Sequence, residues 1–164
     1  MENESIHTLI SQILEEANEQ EKHSLRFLLE GVLKKQQDHY KTYLAGFMGI
    51  RSKKLDEDTY ESIIPNQELV HNPLHIVHGG ITASLIDIAM GSLVHQSLPS
   101  DKAAVTSEMN IHFLAKGEGH ELRCQSHVVF KGDERWVVKA NVYRDDLKLI
   151  ATATGNFMVI PRKV

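Results

Sequence analysis

From Ile81 to Leu98 the chain runs for eighteen residues whose only acid is Asp87, and it enters that run through His78-Gly79-Gly80. A helix that is hydrophobic almost all the way round belongs in the middle of a fold. The spacing therefore predicts a central helix with the rest of the chain packed about it. An ionised carboxylate in such a helix has to be paired, hydrogen-bonded or protonated, which makes Asp87 the first candidate for a functional residue.

The chain of 164 residues, 41% hydrophobic and 24% charged, is long enough for one globular domain with a sizeable core and a short appendage. A net charge of -4 without a basic stripe excludes a phosphate backbone as the natural partner. Asp87 interrupts the best apolar run, so no membrane span is expected. The segment Met1–Ser5 is acidic and lacks the charged and apolar regions of a signal peptide, and the single cysteine, Cys124, forms no internal disulfide. A cytoplasmic location is the expectation, with Cys124 as a small core hydrophobe.

Residues 6–17 carry Ile6, Leu9, Ile10, Ile13, Leu14 and Ala17 on one helical face, and residues 25–33 repeat the pattern. Two amphipathic helices are predicted in an N-terminal extension, residues 1–40, ahead of a main domain over residues 41–164. Ile50 to Leu55 and Thr59 to Ile64, parted by Asp56-Glu57-Asp58, predict a hairpin. Beyond the central helix, runs at 102–115, 120–131, 135–144 and 148–160 are separated by turns short enough for antiparallel neighbours. Val105, Ser107, Met109, Ile111 and Phe113 alternate on one face, as do Trp136, Val138, Ala140 and Val142, so one face is expected to be buried. The result is an α+β domain in which an antiparallel sheet curls round a helix.

Three features are specific together: Asn72 six residues before His78-Gly79-Gly80, Asp87 eight residues after Gly79, and the strand Val105-Thr106-Ser107-Glu108-Met109-Asn110-Ile111. On them the chain from Phe47 to Ile160 resembles the hotdog-fold acyl-CoA thioesterases of the phenylacetate-pathway (PaaI-like) branch. The resemblance implies a helix that begins at the Gly pair, with Asn72 and the Gly79 amide polarising the thioester carbonyl. It implies Asp87 as general base or nucleophile, Thr106 supporting it, and His78 as an orienting neighbour; a register slip of one would give that support to Ser107. It also implies a homodimer with shared active sites, or a tetramer built from it. Relatives commonly carry Gly in the loop where this chain has Pro73, Leu74 and His75, and the family pattern is silent on residues 1–40.

The chemistry is legible in the residues as well. Thioester hydrolysis needs donors where the carbonyl oxygen gains charge, and unpaired amides at a helix N-terminus supply them. Gly79 and Gly80 permit close approach of a substrate to that backbone. No Gly-x-Ser-x-Gly elbow is present. His71, His75 and His78 are not read as metal ligands, because no second carboxylate accompanies them and this cleavage requires no metal. Neither a metal nor a bound cofactor is expected, coenzyme A entering only as part of substrate or product. Gly80, Ile81 and Met90, with Leu85 and Phe113, are the expected walls for an aryl or fatty acyl group. Two other activities remain open: a non-catalytic acyl-CoA-binding regulatory hotdog protein, and a hydratase, for which the expected His-plus-acid pair is missing.

Overall fold

The computed structural model describes residues 5–162, so the acidic start at Met1–Glu4 lies outside the described residues. The chain divides into two compact units between Gly49 and Ile50.

The first unit contains α1 (Ile6–Glu16), α2 (Glu19–Gln36) and α3 (Tyr43–Met48). Ser5 caps α1, its hydroxyl accepting from Thr8 N–H, and Asn18 with Glu21 forms a reciprocal capping box at α2. The short helix α3 was not foreseen in the sequence. It meets α2 where Gly31 and Gly46 touch backbone to backbone: a Cβ on either would lie 2.6 Å from the other's carbonyl oxygen. Only glycine permits that approach. Gly49, at φ 60°, closes α3 in the left-handed conformation.

The second unit is a six-stranded antiparallel sheet with one long helix against it. Its strands are β1 (Arg51–Lys54), β2 (Thr59–Pro65), β3 (Lys102–Phe113), β4 (Glu121–Lys131), β5 (Arg135–Arg144) and β6 (Leu149–Pro161), in the order β1-β2-β4-β5-β6-β3. The expected hairpin is β1–β2, and the four later runs are β3 to β6. The helix α4 spans Gly79–Ser97, beginning at the Gly pair as expected. Trp136, Val138, Ala140 and Val142 are buried together as their alternation predicts. Buried Ser126 ties sheet to helix by donating to the Ala89 carbonyl at 3.0 Å. This is the α+β, helix-wrapping architecture expected from the sequence.

Two expectations need correction. The helix α4 is not sunk all round: Thr82, Leu85, Ile86, Ala89, Met90, Leu93 and Val94 form one buried stripe, while Ser84, Asp87, Ile88 and Gly91 on the other side stay partly exposed. One sheet can cover only one side of a helix. Nor does β3 alternate as read. It is an edge strand with Val105 and Phe113 about half exposed, and its ladder with β6 skips Ser107, pairing Thr106 with Phe157 and Glu108 with Asn156. That β-bulge places Thr106 on the same face as Met109, Ile111 and Phe113 and leaves Val105 on the other.

Candidate active site

The loop before α4 is tied at both ends and folded back on itself. His71 bridges Val77, His78 N–H donates to the Val70 carbonyl at 2.8 Å, and Val77 N–H reaches the Gly117 carbonyl at 2.9 Å. Within it, the Asn72 side-chain oxygen accepts from Leu74 N–H at 2.9 Å, an Asx turn that fixes the amide and leaves its NH2 group without a partner among the described residues.

At the start of α4 the N-cap is His78, an uncommon residue there. Gly80 N–H donates to His78 Nδ1 at 2.9 Å, which orients the ring and makes Nδ1 the acceptor nitrogen. The Gly79 N–H, in contrast, has no partner among the described residues, so an unsatisfied donor stands at the positive end of a nineteen-residue helix. Asn72 and Gly79 line one open cavity of about 390 Å³ with Phe113 and Lys116 on its wall. Two free N–H donors in one cleft can stabilise an oxygen that is gaining negative charge.

Further along α4, Asp87 is half-buried and Thr106 lies opposite it on β3. Thr106 Oγ1 donates to Asp87 Oδ1 at 2.7 Å, and the other carboxylate oxygen has no partner among the described residues. Ser107, the alternative, instead donates to the Asn156 carbonyl at 3.1 Å. The carboxylate therefore has one oxygen held and one available.

The structure thus brings Asn72 with Gly79, and Asp87 with Thr106, but keeps the two pairs apart within one chain. Eight residues of helix place Gly79 and Asp87 about 12 Å apart along the axis. Of the expected walls, Phe113 lines the cavity, whereas Gly80, Ile81, Leu85 and Met90 do not. Met90 is fully buried under β6, where a Cβ on Gly155 would lie 2.8 Å from its terminal methyl. Sequence reading missed Lys116, whose place on the wall comes from the tertiary course of the chain after β3. Cys124 is wholly buried and burial pushes its thiol far above the ordinary range, so it is no nucleophile.

His78 stands apart from the other two loop histidines. His78 caps the helix, but one ligand atom from each of Glu68, His71 and His75 lies within 4.8 Å of the others. No second carboxylate is expected beside these histidines, but in the fold the 3₁₀ turn Glu68–Val70 brings them Glu68.

Residues 74–151 match the sequence profile of the thioesterase superfamily. The BH2602 protein of Bacillus halodurans, solved with CoA, is 42% identical and superposes with a TM-score of 0.88, covering 94% of this chain and 100% of its own. A phenylacetic acid degradation-related protein of Ralstonia eutropha JMP134 is 26% identical with a TM-score of 0.66, covering 70% of this chain and 88% of its own. The medium/long-chain acyl-CoA thioesterase YigI of Salmonella typhimurium is 23% identical over 129 residues, 66% of this chain and 83% of that protein. With a free amide pair in one cleft, a tethered carboxylate on the same helix and these relatives, the chain belongs to the thioesterase superfamily and has its hotdog fold.

Proposed function

We propose that the protein hydrolyses acyl-CoA thioesters to a free acid and coenzyme A. The single observation that carries this reading is the Thr106–Asp87 hydrogen bond at 2.7 Å, which holds one carboxylate oxygen and leaves the other to act. The Gly79 N–H and the Asn72 NH2 group receive the thioester oxygen. As a general base, Asp87 takes a proton from water, whose oxygen attacks the carbonyl carbon; the tetrahedral oxyanion then collapses, the C–S bond breaks, and the thiolate leaves to be protonated. As a nucleophile, Asp87 itself attacks, expels the thiolate, and water cleaves the resulting anhydride. The chemistry uses carboxylate and amide donors throughout, with coenzyme A present only in substrate and product.

Reacting atoms must approach within about 3–3.5 Å, while the donors and carboxylate of one chain are about 12 Å apart along the helix. A two-fold dimer with antiparallel α4 helices joins the donors of one subunit to the carboxylate of the other, twice. The open edge of β3 and its exposed Val105 and Phe113 support such a partner. A dimer, or a tetramer built from it, acting in the cytoplasm is the proposed form. The CoA in the Bacillus structure and the name of the Salmonella relative support a medium-to-long acyl-CoA substrate, and the name of the Ralstonia protein supports an aryl one.

The test is release of free thiol over a panel of aryl and fatty acyl-CoAs. Turnover of at least one class, abolished in Asp87→Asn, supports the reading. Tight acyl-CoA binding with no turnover on any member would instead favour a sensor.

A further inference from the structure

We propose a divalent transition-metal site, of zinc type, formed by Glu68, His71 and His75 at the base of the loop that carries Asn72. Two imidazoles and a carboxylate are the donor set that Zn²⁺ takes with three protein ligands and one open position. Their ligand atoms already lie within 4.8 Å of one another.

The second argument is the state of His71. The Asn66 side-chain NH2 donates to the Gly119 carbonyl at 2.7 Å, which fixes the amide so that its oxygen faces His71. His71 Nε2 lies 2.6 Å from that oxygen, an acceptor only, so Nε2 carries the proton. Nδ1 is then a bare lone pair, and it is buried with no hydrogen-bond partner among the described residues. An imidazole with one nitrogen pinned by an amide oxygen and the other vacant is the arrangement by which proteins orient a metal-binding histidine. A buried acceptor left unmatched costs free energy, and an ion bound at Nδ1 removes that penalty.

The other two ligands are free to join it. Glu68 forms no ion pair among the described residues. His75 sits at φ 55°, a left-handed conformation that non-glycine residues seldom adopt, and its N–H is held by the Asn72 carbonyl at 2.9 Å. Backbone bonds thus set the positions before any ion arrives. Because His71 and His75 flank Asn72, a bound ion would hold that residue's loop. Metal binding itself is read directly and stands or falls apart from thioester hydrolysis.

The experiment uses the full chain, stripped with a chelator and then dialysed against micromolar Zn²⁺ or Co²⁺. The expected result is about one ion retained per chain, visible d–d absorption with Co²⁺, and a higher thermal midpoint with Zn²⁺. His75→Ala, at an exposed position, should weaken binding at least about tenfold and remove the thermal shift, and Asn66→Ala should weaken it by about 10- to 100-fold. His112→Ala, on the outer face of β3, should bind as the parent does. No retained ion in the parent chain, unchanged affinity in His75→Ala, or an equal loss in His112→Ala would each overturn the site.

Discussion

Thr106 and Asp87 meet at 2.7 Å because β3 carries one extra residue, Ser107, between the Thr106–Phe157 and Glu108–Asn156 pairs. Without that residue in the count, Thr106 and Met109 could not share a face while three positions apart. The bulge aims a hydroxyl at the helix where strict alternation would aim it away.

This pairing separates three variants. Asp87→Asn should keep the fold and lower kcat by about 100-fold or more, as loss of a base or nucleophile does. Thr106→Val should lower kcat by about tenfold through a looser carboxylate, whereas Ser107→Ala, whose hydroxyl reaches only the Asn156 carbonyl, should stay within about twofold. Steady-state kinetics on one acyl-CoA decides it, and equal losses at 106 and 107 would remove Thr106 from its positioning role. Single turnover in ¹⁸O-water then tests the anhydride route: label enters the Asp87 carboxylate when water opens an anhydride at the aspartyl carbon, and never by general-base hydrolysis.

A methyl group at Gly79 would lie 3.7 Å from the Phe113 ring, an ordinary contact. Gly79→Ala should therefore fold with a thermal midpoint close to the parent's. Its methyl would stand where the thioester must approach the free N–H, so kcat/KM should fall by about 10- to 100-fold. Normal kinetics in a folded Gly79→Ala protein would take that amide out of the site.

Subunit mixing tests the shared site. Asp87→Ala and Asn72→Ala chains, each inactive alone, should together recover about a quarter of parental activity, since about half the dimers are mixed and each has one intact site. A site built within one chain would recover nothing after exchange, and mass spectrometry of tagged subunits establishes that exchange took place.

Glu61, at 2% exposure, illustrates a different balance. Burial pushes its carboxyl up, but the hydrogen bond from Gln125 and the ion pairs with Arg123 and Lys53 outweigh it and hold the carboxyl below the usual range. A lowered folded value means stability that is present above the ordinary carboxylate range and lost as pH falls through it. Thermal midpoints should drop on acidification below about pH 4.5, more steeply in the parent than in Glu61→Gln. At neutral pH that variant should be destabilised by about 1 kcal/mol, a modest figure because both cations keep contact with solvent. Identical pH profiles would show that the buried pair does not govern acid stability.

The sequence by itself determined what local pattern can determine: the helix beginning at Gly79, the strand runs, the buried alternation of Trp136 to Val142, and Asp87 as the odd residue in an apolar helix. Each of these follows from a 3.6- or 2-residue period and from the free-energy cost of an unpaired carboxylate. Tertiary structure decided the rest. The bulge at Ser107 is a property of two strands pairing, so single-strand alternation misplaced Thr106. The helix α3 depends on a glycine-to-glycine crossing with α2, which neither segment signals alone. Met90 fell into the core and not the cavity because the sheet covers one stripe of α4. Glu68 came to His71 and His75 through a loop closed by backbone bonds, a contact that no sequence period encodes.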